Sequence, residues 1–251
     1  MRKVTIVLPI SREYRLEPMR EQLETLDTQG LDIDLLVISD NIRIRWDNCR
    51  ILYMDENHPG EANSYARRQR IADIMNLART NIPQDTQDIF ILEDDTEIKP
   101  HYLKKLVALT HYKPNYGLIS AIQAGRWAAS MIGVWKTDNI HDPQTWTTQN
   151  HVGQKLLQPV DATGIYCTLT RADLFRSTPF HCTYQGPDVN YGLDIRRKGY
   201  QNYADWTLPC GHVTPQKTIW PTPQTDTIQY ITDPESPGGW KQTKPTDIVA
   251  K

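Results

Sequence analysis

Short apolar runs alternate with segments of helical periodicity along most of the chain, and this alternation predicts an α/β fold. Residues 4–10 form a β-branched run typical of a strand, and Leu16, Met19, Leu23 and Leu26 then recur on one helix face. Further strands are predicted at residues 31–39, 89–92, 116–121, 160–169 and 202–206, and further helices at residues 61–79, around 103–107, from 172 and over 186–200. Strand, helix and strand in succession form a parallel pair with a right-handed crossover.

The stretch QDIFILEDDTEIKP, residues 87–100, joins a predicted buried strand to three acidic residues. Its apolar run ends in Glu93, Asp94 and Asp95, so the strand delivers carboxylates to its own carboxyl end. Asp40 follows the second predicted strand and would lie on the same edge of the sheet. Open α/β sheets bind ligands outside the carboxyl ends of their strands, so this edge is the predicted functional site.

Two interpretations of the three adjacent acids remain open. Carboxylates repel one another unless positive charge lies among them, and a divalent cation shared with a substrate phosphate would supply that charge. Alternatively, the acids only stabilise the N-terminus of the helix that follows Pro100, where the helix dipole favours negative charge.

Three arginines lie on the polar side of the helix predicted over residues 61–79. Arg67, Arg68 and Arg70 would together suit a diphosphate, because guanidinium groups match phosphate oxygens. A solvated basic face is the alternative interpretation.

Periodicity is lost over residues 122–159. This segment carries Trp127, Trp135 and Trp146 among polar residues. Aromatic faces stack on sugars or bases, so an acceptor-binding insertion is one interpretation. A loop fixed by buried tryptophans is the other.

The chain is predicted to hold one domain. Its 251 residues can bury a sizeable core. Residues 221–251 are rich in Pro, Thr, Gln and Asp, and they are expected to form an irregular tail or lid beyond a domain over residues 1–220.

Composition limits the class of partner and the compartment. A formal net charge of -2 provides no bulk attraction to nucleic acid or membrane. The four cysteines form no CxxC pair, so neither a zinc site nor a redox dithiol is indicated, and a reduced, cytoplasmic setting is expected. No segment approaches the roughly 20 apolar residues of a membrane-spanning helix.

Several motifs resemble, in their order, those of nucleotide-sugar glycosyltransferases with the GT-A fold, in particular inverting family 2. Pro9 with Arg12 resembles the end of that family's first strand and its polar turn, and Asp40 resembles its nucleobase-binding acid. Arg67 resembles the arginine of an Ala-Arg-Asn step that approaches the diphosphate, although Arg68 replaces the asparagine. The resemblance implies an α/β fold with a single GT-A, Rossmann-like domain and a mostly parallel central sheet flanked by helices.

The acidic stretch resembles the DxD-type motif of the same family. On that resemblance Asp95 holds a metal ion, Asp94 contacts the ribose, and Glu93 belongs to the same substrate-binding motif. His212 resembles the histidine that completes the metal site in many GT-A enzymes, and Lys217 is a reserve cation for the diphosphate. An ordinary loop histidine after a Pro-Cys-Gly turn is the alternative interpretation of His212.

The stretch GPDVNYGLDIRRKGY, residues 186–200, aligns without a gap on the family's GEDVDLSLRLRRAGY-like pattern. This overlay places Asp188 at the position of the catalytic base. The chain departs from the pattern at Pro187, Asn190 and Asp194, where the family has Glu, Asp and Arg. These departures affect the expected acceptor contacts. A helix N-cap is the alternative role for Asp188.

The resemblance covers about residues 4–215 and implies a metal-dependent enzyme. It would move a sugar from a nucleoside diphosphate sugar, with a UDP-sugar expected first, to an acceptor hydroxyl with inversion. Mn²⁺ or Mg²⁺ is the expected cofactor, and a histidine ligand favours Mn²⁺. A glycan, a lipid-linked sugar, a protein, a small molecule and a hydroxymethylated DNA base, as used by phage-type enzymes of similar fold, all remain open as acceptor.

Two rival functions remain at this point. A nucleotidyltransferase would also need acids at a strand end, but no Gly-rich phosphate loop lies near the N-terminus. A non-catalytic module that binds a nucleotide sugar or a glycan is compatible with the departures in residues 186–200.

Overall fold

The fold is described by a computed structural model that covers most of the chain. It describes residues 1–40, 42–54, 64–125, 129–148, 150–183, 185–223, 228–233 and 240–243. Trp127 and the first residues of the helix predicted over 61–79 lie outside these ranges.

Strands and helices alternate over much of the described chain. The strands are β1 (Arg2–Ile10), β2 (Leu31–Ser39), β3 (Arg50–Tyr53), β4 (Asp88–Leu92), β5 (Thr96–Glu97), β6 (Tyr116–Gln123), β7 (Val134–Thr137), β8 (Thr145–Thr148), β9 (Leu157–Val160), β10 (Ala162–Thr163), β11 (Cys167–Arg171), β12 (Gln201–Val213), β13 (Thr218–Ile219), β14 (Ile228–Thr232) and β15 (Trp240–Thr243). The α-helices are α1 (Leu16–Glu24), α2 (Ser64–Thr80), α3 (Tyr102–Tyr112), α4 (Ala172–Ser177) and α5 (Pro187–Arg197), and a short 3₁₀-helix covers Glu13–Arg15.

The main sheet has the strand order β13-β12-β6-β11-β4-β1-β2-β3, with β5 and β9 paired to β12. Strands β3, β2, β1 and β4 are mutually parallel, as are β6 and β12. Strand β11 runs antiparallel between β4 and β6. This mixed α/β architecture, with a mostly parallel central sheet flanked by helices, confirms the predicted α/β fold class.

The central strand β4 explains why the sheet has a core on both sides. All five of its residues are buried, and successive side chains point to opposite faces of a strand. Phe90 and Leu92 pack in the cluster that contains Leu103 of α3, whereas Ile89 and Ile91 pack in the cluster of α2 and α5. Each such side chain contributes about 1.5–3 kcal/mol when it is fully buried.

A second sheet, of order β10-β7-β8-β14-β15, lies in the part of the sequence where periodicity was lost. Trp146 of β8 is fully buried opposite Tyr230 of β14, so it has the core role rather than a solvent-facing one. The prediction of an irregular segment over 221–251 therefore missed two strands, and the domain boundary at residue 220 stays a prediction.

Two predicted elements differ from the observed ones. The strand predicted over 160–169 is interrupted, because β10 joins the second sheet while β11 joins the main sheet. The last predicted strand is much longer than expected and continues through Pro209 to Val213. A register shift between Ala204 and Pro209 accommodates the missing proline N–H, and His212 consequently lies in a strand rather than after a turn.

Among the described residues, no helix combines the length and the apolar character needed to cross a membrane.

The contact between β6 and α5 generates a stability prediction. A Cβ at Gly117 of β6 would overlap Ile195 Cγ2 of α5 and lie 2.7 Å from Asn202 Oδ1. Gly117→Ala should therefore lower the free energy of unfolding by about 1–3 kcal/mol, as measured by denaturant unfolding. Gly125→Ala is the matched control, because its Cβ would meet no atom closer than 3.5 Å and should change stability by less than about 0.5 kcal/mol. Equal effects of the two substitutions would contradict this packing.

Candidate active site

Four acidic residues meet at the carboxyl edge of the main sheet. Asp40 follows β2, and its backbone N–H donates to the carbonyl of Ile10 at the end of β1. Glu93, Asp94 and Asp95 follow β4, the other neighbour of β1. The aspartates are between 3% and 5% exposed. The parallel register of β1, β2 and β4 thus concentrates negative charge in a nearly dry region, as the sequence pattern predicted.

Arg12 provides the positive charge closest to Asp94 and Asp95. Its guanidinium forms an ion pair with Asp94 and lies 3.2 Å from Asp95 Oδ2. The backbone N–H groups of Ser11 and Arg12 donate to Asp94 Oδ2 over 2.9 and 3.2 Å. Burial raises the pKa of Asp94 even though Arg12 opposes the shift. Asp94 therefore fixes the chain segment that leaves β1, and Arg12 bridges the two acids.

Arg70 of α2 neutralises Asp40. The guanidinium donates to Asp40 Oδ1, and both side chains are almost fully buried. Arg70 Nε is buried and, among the described residues, has no hydrogen-bond partner. An unsatisfied buried donor costs about 1–3 kcal/mol, so the ion pair with Asp40 must offset this cost.

Asp95 and His212 face each other across a gap suited to a cation. His212 Nδ1 lies 2.9 Å from the carbonyl oxygen of Ala124. A carbonyl oxygen only accepts, so Nδ1 carries the hydrogen. Nε2 then has the free lone pair of the neutral ring, and it lies 3.5 Å from Asp95 Oδ2. In the neutral ring, two acceptors then face each other, an arrangement that a divalent cation between them would stabilise.

The described residues hold no group of three or more His, Cys, Asp or Glu side chains arranged as a metal site. A pair of protein ligands fits a cation whose remaining ligands are water and substrate phosphate oxygens, as is usual for Mg²⁺ and similar ions. The donor set of Asp95 and His212 is therefore compatible with the expected metal.

Asp188 lies in the first turn of α5. The N-cap is Gly186, with φ of +93°, and Pro187 is the first helical residue. Asp188 is thus not the cap that the alternative interpretation required. Burial raises its pKa to about 6, against the lowering effects of the backbone N–H groups at the helix start and of the charge on Arg68. A carboxyl group with this pKa is suited to proton transfer near neutral pH.

Three adjoining pockets connect these groups. The acidic pocket, of about 90 Å³, lies between the strand ends and α2. Its charged lining includes Arg12, Asp40, Arg67, Arg70, Asp94 and Asp95. The central pocket, of about 280 Å³, lies beside it. Its charged and imidazole side chains are Arg68, Glu93, Asp95, Asp188 and His212. Glu93 and Asp95 line both pockets, which therefore adjoin.

The aromatic pocket, of about 330 Å³, begins where the central pocket ends. Asp188 and His212 line both of them. The rings of Trp135, Tyr166 and Tyr230 form much of the remaining surface. A ligand that extends from the acids to these rings would pass Asp188 and His212.

The remaining predicted site residues fall into two groups. Pro9 and Arg67 line the acidic pocket, and Arg68 lines the central pocket. Lys217 lies exposed in the turn between β12 and β13, and it lines none of the three pockets. Its contact with substrate stays a prediction.

The three departures from the family pattern have local structural roles. Pro187 begins α5 with the backbone geometry that a first helical position needs. The Asn190 amide donates to the carbonyl of His181, and Asp194 forms an ion pair with Arg197. None of these contacts displaces Asp188 from the pocket.

Sequence reasoning missed several residues at the site. Arg70 had been grouped with the phosphate-binding candidates, but its three-residue spacing from Arg67 places it one turn further along the same helix, where it meets Asp40. Tyr166, just before β11, and Tyr230 of β14 were not singled out, because they are distant in sequence and come together only in the tertiary fold.

Comparison with known proteins shows similarity of fold. No protein-family model matches the chain, and no curated protein matches it. Protein A197 from STIV is 13% identical over 90% of this chain and 97% of its own, with a TM-score of 0.50. The mannosyltransferase PcManGT from Pyrobaculum calidifontis, in complex with GDP-Man and Mn²⁺, is 13% identical over 79% of this chain and 53% of its own, with a TM-score of 0.49.

At this identity such likeness concerns the fold alone. The chain spans about half the length of PcManGT. Membership of family 2 stays a prediction.

The raised pKa of Asp188 predicts a pH-dependent stability difference. The carboxyl should ionise near pH 3.8 in the unfolded chain but at about pH 6 in the folded protein. Between these values the folded state binds more protons, so its stability falls as pH rises through this range and levels off above about pH 7. Asp188→Asn should lack this contribution. The unfolding free energy of wild type minus that of the variant should therefore fall as the pH rises through this range. Parallel pH profiles from denaturant unfolding would contradict the assignment.

Proposed function

We propose that this protein is a metal-dependent glycosyltransferase that moves a sugar from a nucleoside diphosphate sugar to an acceptor hydroxyl, with inversion at the anomeric carbon. One observation carries the proposal: Asp95 and His212 line the same central pocket as Asp188, whose pKa is raised to about 6. Such a transfer needs a cation that stabilises the leaving group and a base that accepts the acceptor's proton, and the residues for both line this one pocket.

The nucleoside of the donor occupies the acidic pocket in this proposal. Asp40 and Arg70 line this pocket and offer a carboxylate and a guanidinium group to the edge of a base, with UDP as the first nucleotide to test. Asp94 accepts hydrogen bonds from Ser11 and Arg12, so we assign it to positioning this segment in addition to its predicted ribose contact.

The diphosphate lies where the acidic and central pockets meet. Arg67 and Arg68 line the two sides of this junction and would bind phosphate oxygens, with Lys217 as a further contact. Asp95 and His212 would hold Mn²⁺ or Mg²⁺. When bound, such an ion neutralises the charge that develops on the departing diphosphate.

Asp188 acts as the general base. It accepts the proton of the acceptor hydroxyl while the oxygen bonds to the anomeric carbon and the bond from that carbon to the diphosphate oxygen breaks. With a pKa of about 6, the carboxylate is largely ionised at neutral pH, yet it remains a stronger base than an exposed aspartate. Attack from the Asp188 side, opposite the diphosphate, gives inversion.

Nucleotide binding is tested by thermal stability with UDP, GDP, CDP and TDP, each with and without Mn²⁺. One nucleotide should stabilise the protein only when the metal is present, by a few kcal/mol at about a hundred times its dissociation constant. Asp95→Ala should abolish this shift, and Asp188→Asn, which keeps the cation ligands, should retain it. If no nucleotide stabilises wild type, the assignment of the acidic pocket is wrong.

Catalysis is tested by the slow release of sugar to water from the donor that binds. Asp188→Asn should reduce turnover about a hundredfold to ten-thousandfold with little change in donor affinity. Wild-type protein that binds donor with metal but never cleaves it would instead support a non-catalytic binding module.

A further inference from the structure

The aromatic pocket has a single polar end. Asp188 and His212 lie at that end, where the pocket joins the central pocket. Gln123 is the other polar side chain that is not aromatic in the described lining, and its amide nitrogen already donates to Thr96 Oγ1 and to the carbonyl of Gly211. Apart from the tyrosine hydroxyls and the indole N–H, of which the Tyr166 hydroxyl lies 3.5 Å from the carbonyl oxygen of Gly133, a ligand that fills the pocket finds its hydrogen-bonding side chains beside the proposed base.

The rest of the pocket is built for apolar contact. Trp135 comes from β7, Tyr230 from β14, and Tyr166 from the segment before β11, so both sheets contribute rings. Met131 and Ile132 complete this surface. A sugar ring presents hydroxyl groups on all sides, and their burial against such a surface without partners costs free energy for each group.

Glycines let two of the rings approach the backbone of the pocket wall. A Cβ at Gly133 would lie 3.3 Å from Tyr166 Cε1 and 3.4 Å from Trp135 Cη2, so both rings lie close to the bare backbone at this position. A Cβ at Gly164 would overlap the Tyr166 ring. Ring faces beside bare backbone form a flat apolar surface, and a flat group packs well on such a surface.

We infer that the aromatic pocket is the acceptor subsite, and that its ligand is an alcohol carried on a flat, largely apolar ring, that is, an aromatic or heteroaromatic alcohol rather than a polyhydroxylated sugar. The ring would pack against the aromatic lining beside Gly133, and the hydroxyl would point to the polar end. There its proton passes to the Asp188 carboxylate as its oxygen takes the sugar, and the diphosphate leaves with the electron pair of the broken bond. This last step rests on the proposed function, whereas binding of the ring does not.

Binding of three neutral probes tests the inference without nucleotide or metal. Saturation-transfer NMR with benzyl alcohol should detect binding, cyclohexylmethanol should bind more weakly because its ring is not flat, and methyl α-D-mannopyranoside should not bind. Trp135→Leu should weaken benzyl alcohol binding about tenfold, the effect expected when one stacking ring is lost. Trp220→Leu is the control, because Trp220 is 37% exposed and lines none of the three pockets.

Gly133→Ala supplies a second, milder variant if Trp135→Leu does not fold. Its added methyl group would crowd the rings of Tyr166 and Trp135, which should shift them and also weaken benzyl alcohol binding. The inference is overturned if benzyl alcohol does not bind, if cyclohexylmethanol or the mannoside binds equally well, or if the folded pocket variants bind it as wild type does. Failure of the nucleotide experiments with these results intact would remove the transfer reaction but leave the ring-binding pocket.

Discussion

Burial of negative charge at one edge of a sheet is the constraint on which the rest of this site depends. Asp40, Asp94 and Asp95 are each at most 5% exposed, and charges in such surroundings are costly unless they are paired. Arg70 and Arg12 provide the pairing that the described residues show most directly. The parallel strands bring the acids together, and the arginines make their proximity tolerable.

The same constraint determines the order of charged and apolar groups along the site. Asp95 Oδ2 lies 3.2 Å from the Arg12 guanidinium and 3.5 Å from His212 Nε2, so this oxygen lies between a fixed cation and the candidate metal ligand. Asp188 lines the central pocket together with Asp95 and His212, on a helix whose packing against β6 and β10 is close enough to require glycines at 117 and 192. The site thus runs from paired charge, through a candidate cation site, to a base next to apolar rings.

The first half of the site could be predicted from the sequence because it depends on local patterns. An apolar run that ends in acids identifies a strand end, and parallel crossovers place successive strand ends on one edge. Asp40 and Asp94 therefore reach a common edge by rules that need only sequence order. The helix that presents Asp188 was recognised for the same reason, since residues 186–200 carry both helix signals and a family-like motif.

The second half could not be predicted, because it depends on pairings between distant segments. Strand β12 looks broken at Pro209 and Gly211, and only the register shift against β6 and the added pairing with β5 show how it continues to His212. Strand β8 pairs with β7 and also with β14, about eighty residues away, and short strands with Thr and Trp give no clear periodicity. The aromatic pocket forms only after both sheets have assembled.

The most direct test of the central claim is to measure Mn²⁺ binding by electron paramagnetic resonance, with and without nucleoside diphosphates. If Asp95 and His212 hold a cation together with substrate phosphates, bound Mn²⁺ should appear chiefly when the preferred nucleotide is present. Asp95→Asn and His212→Ala should each weaken that binding, while Asp188→Asn should not. If neither substitution changes the affinity for Mn²⁺, or if no Mn²⁺ binds with any nucleotide, the claim that this sheet edge is a metal and nucleotide site is contradicted.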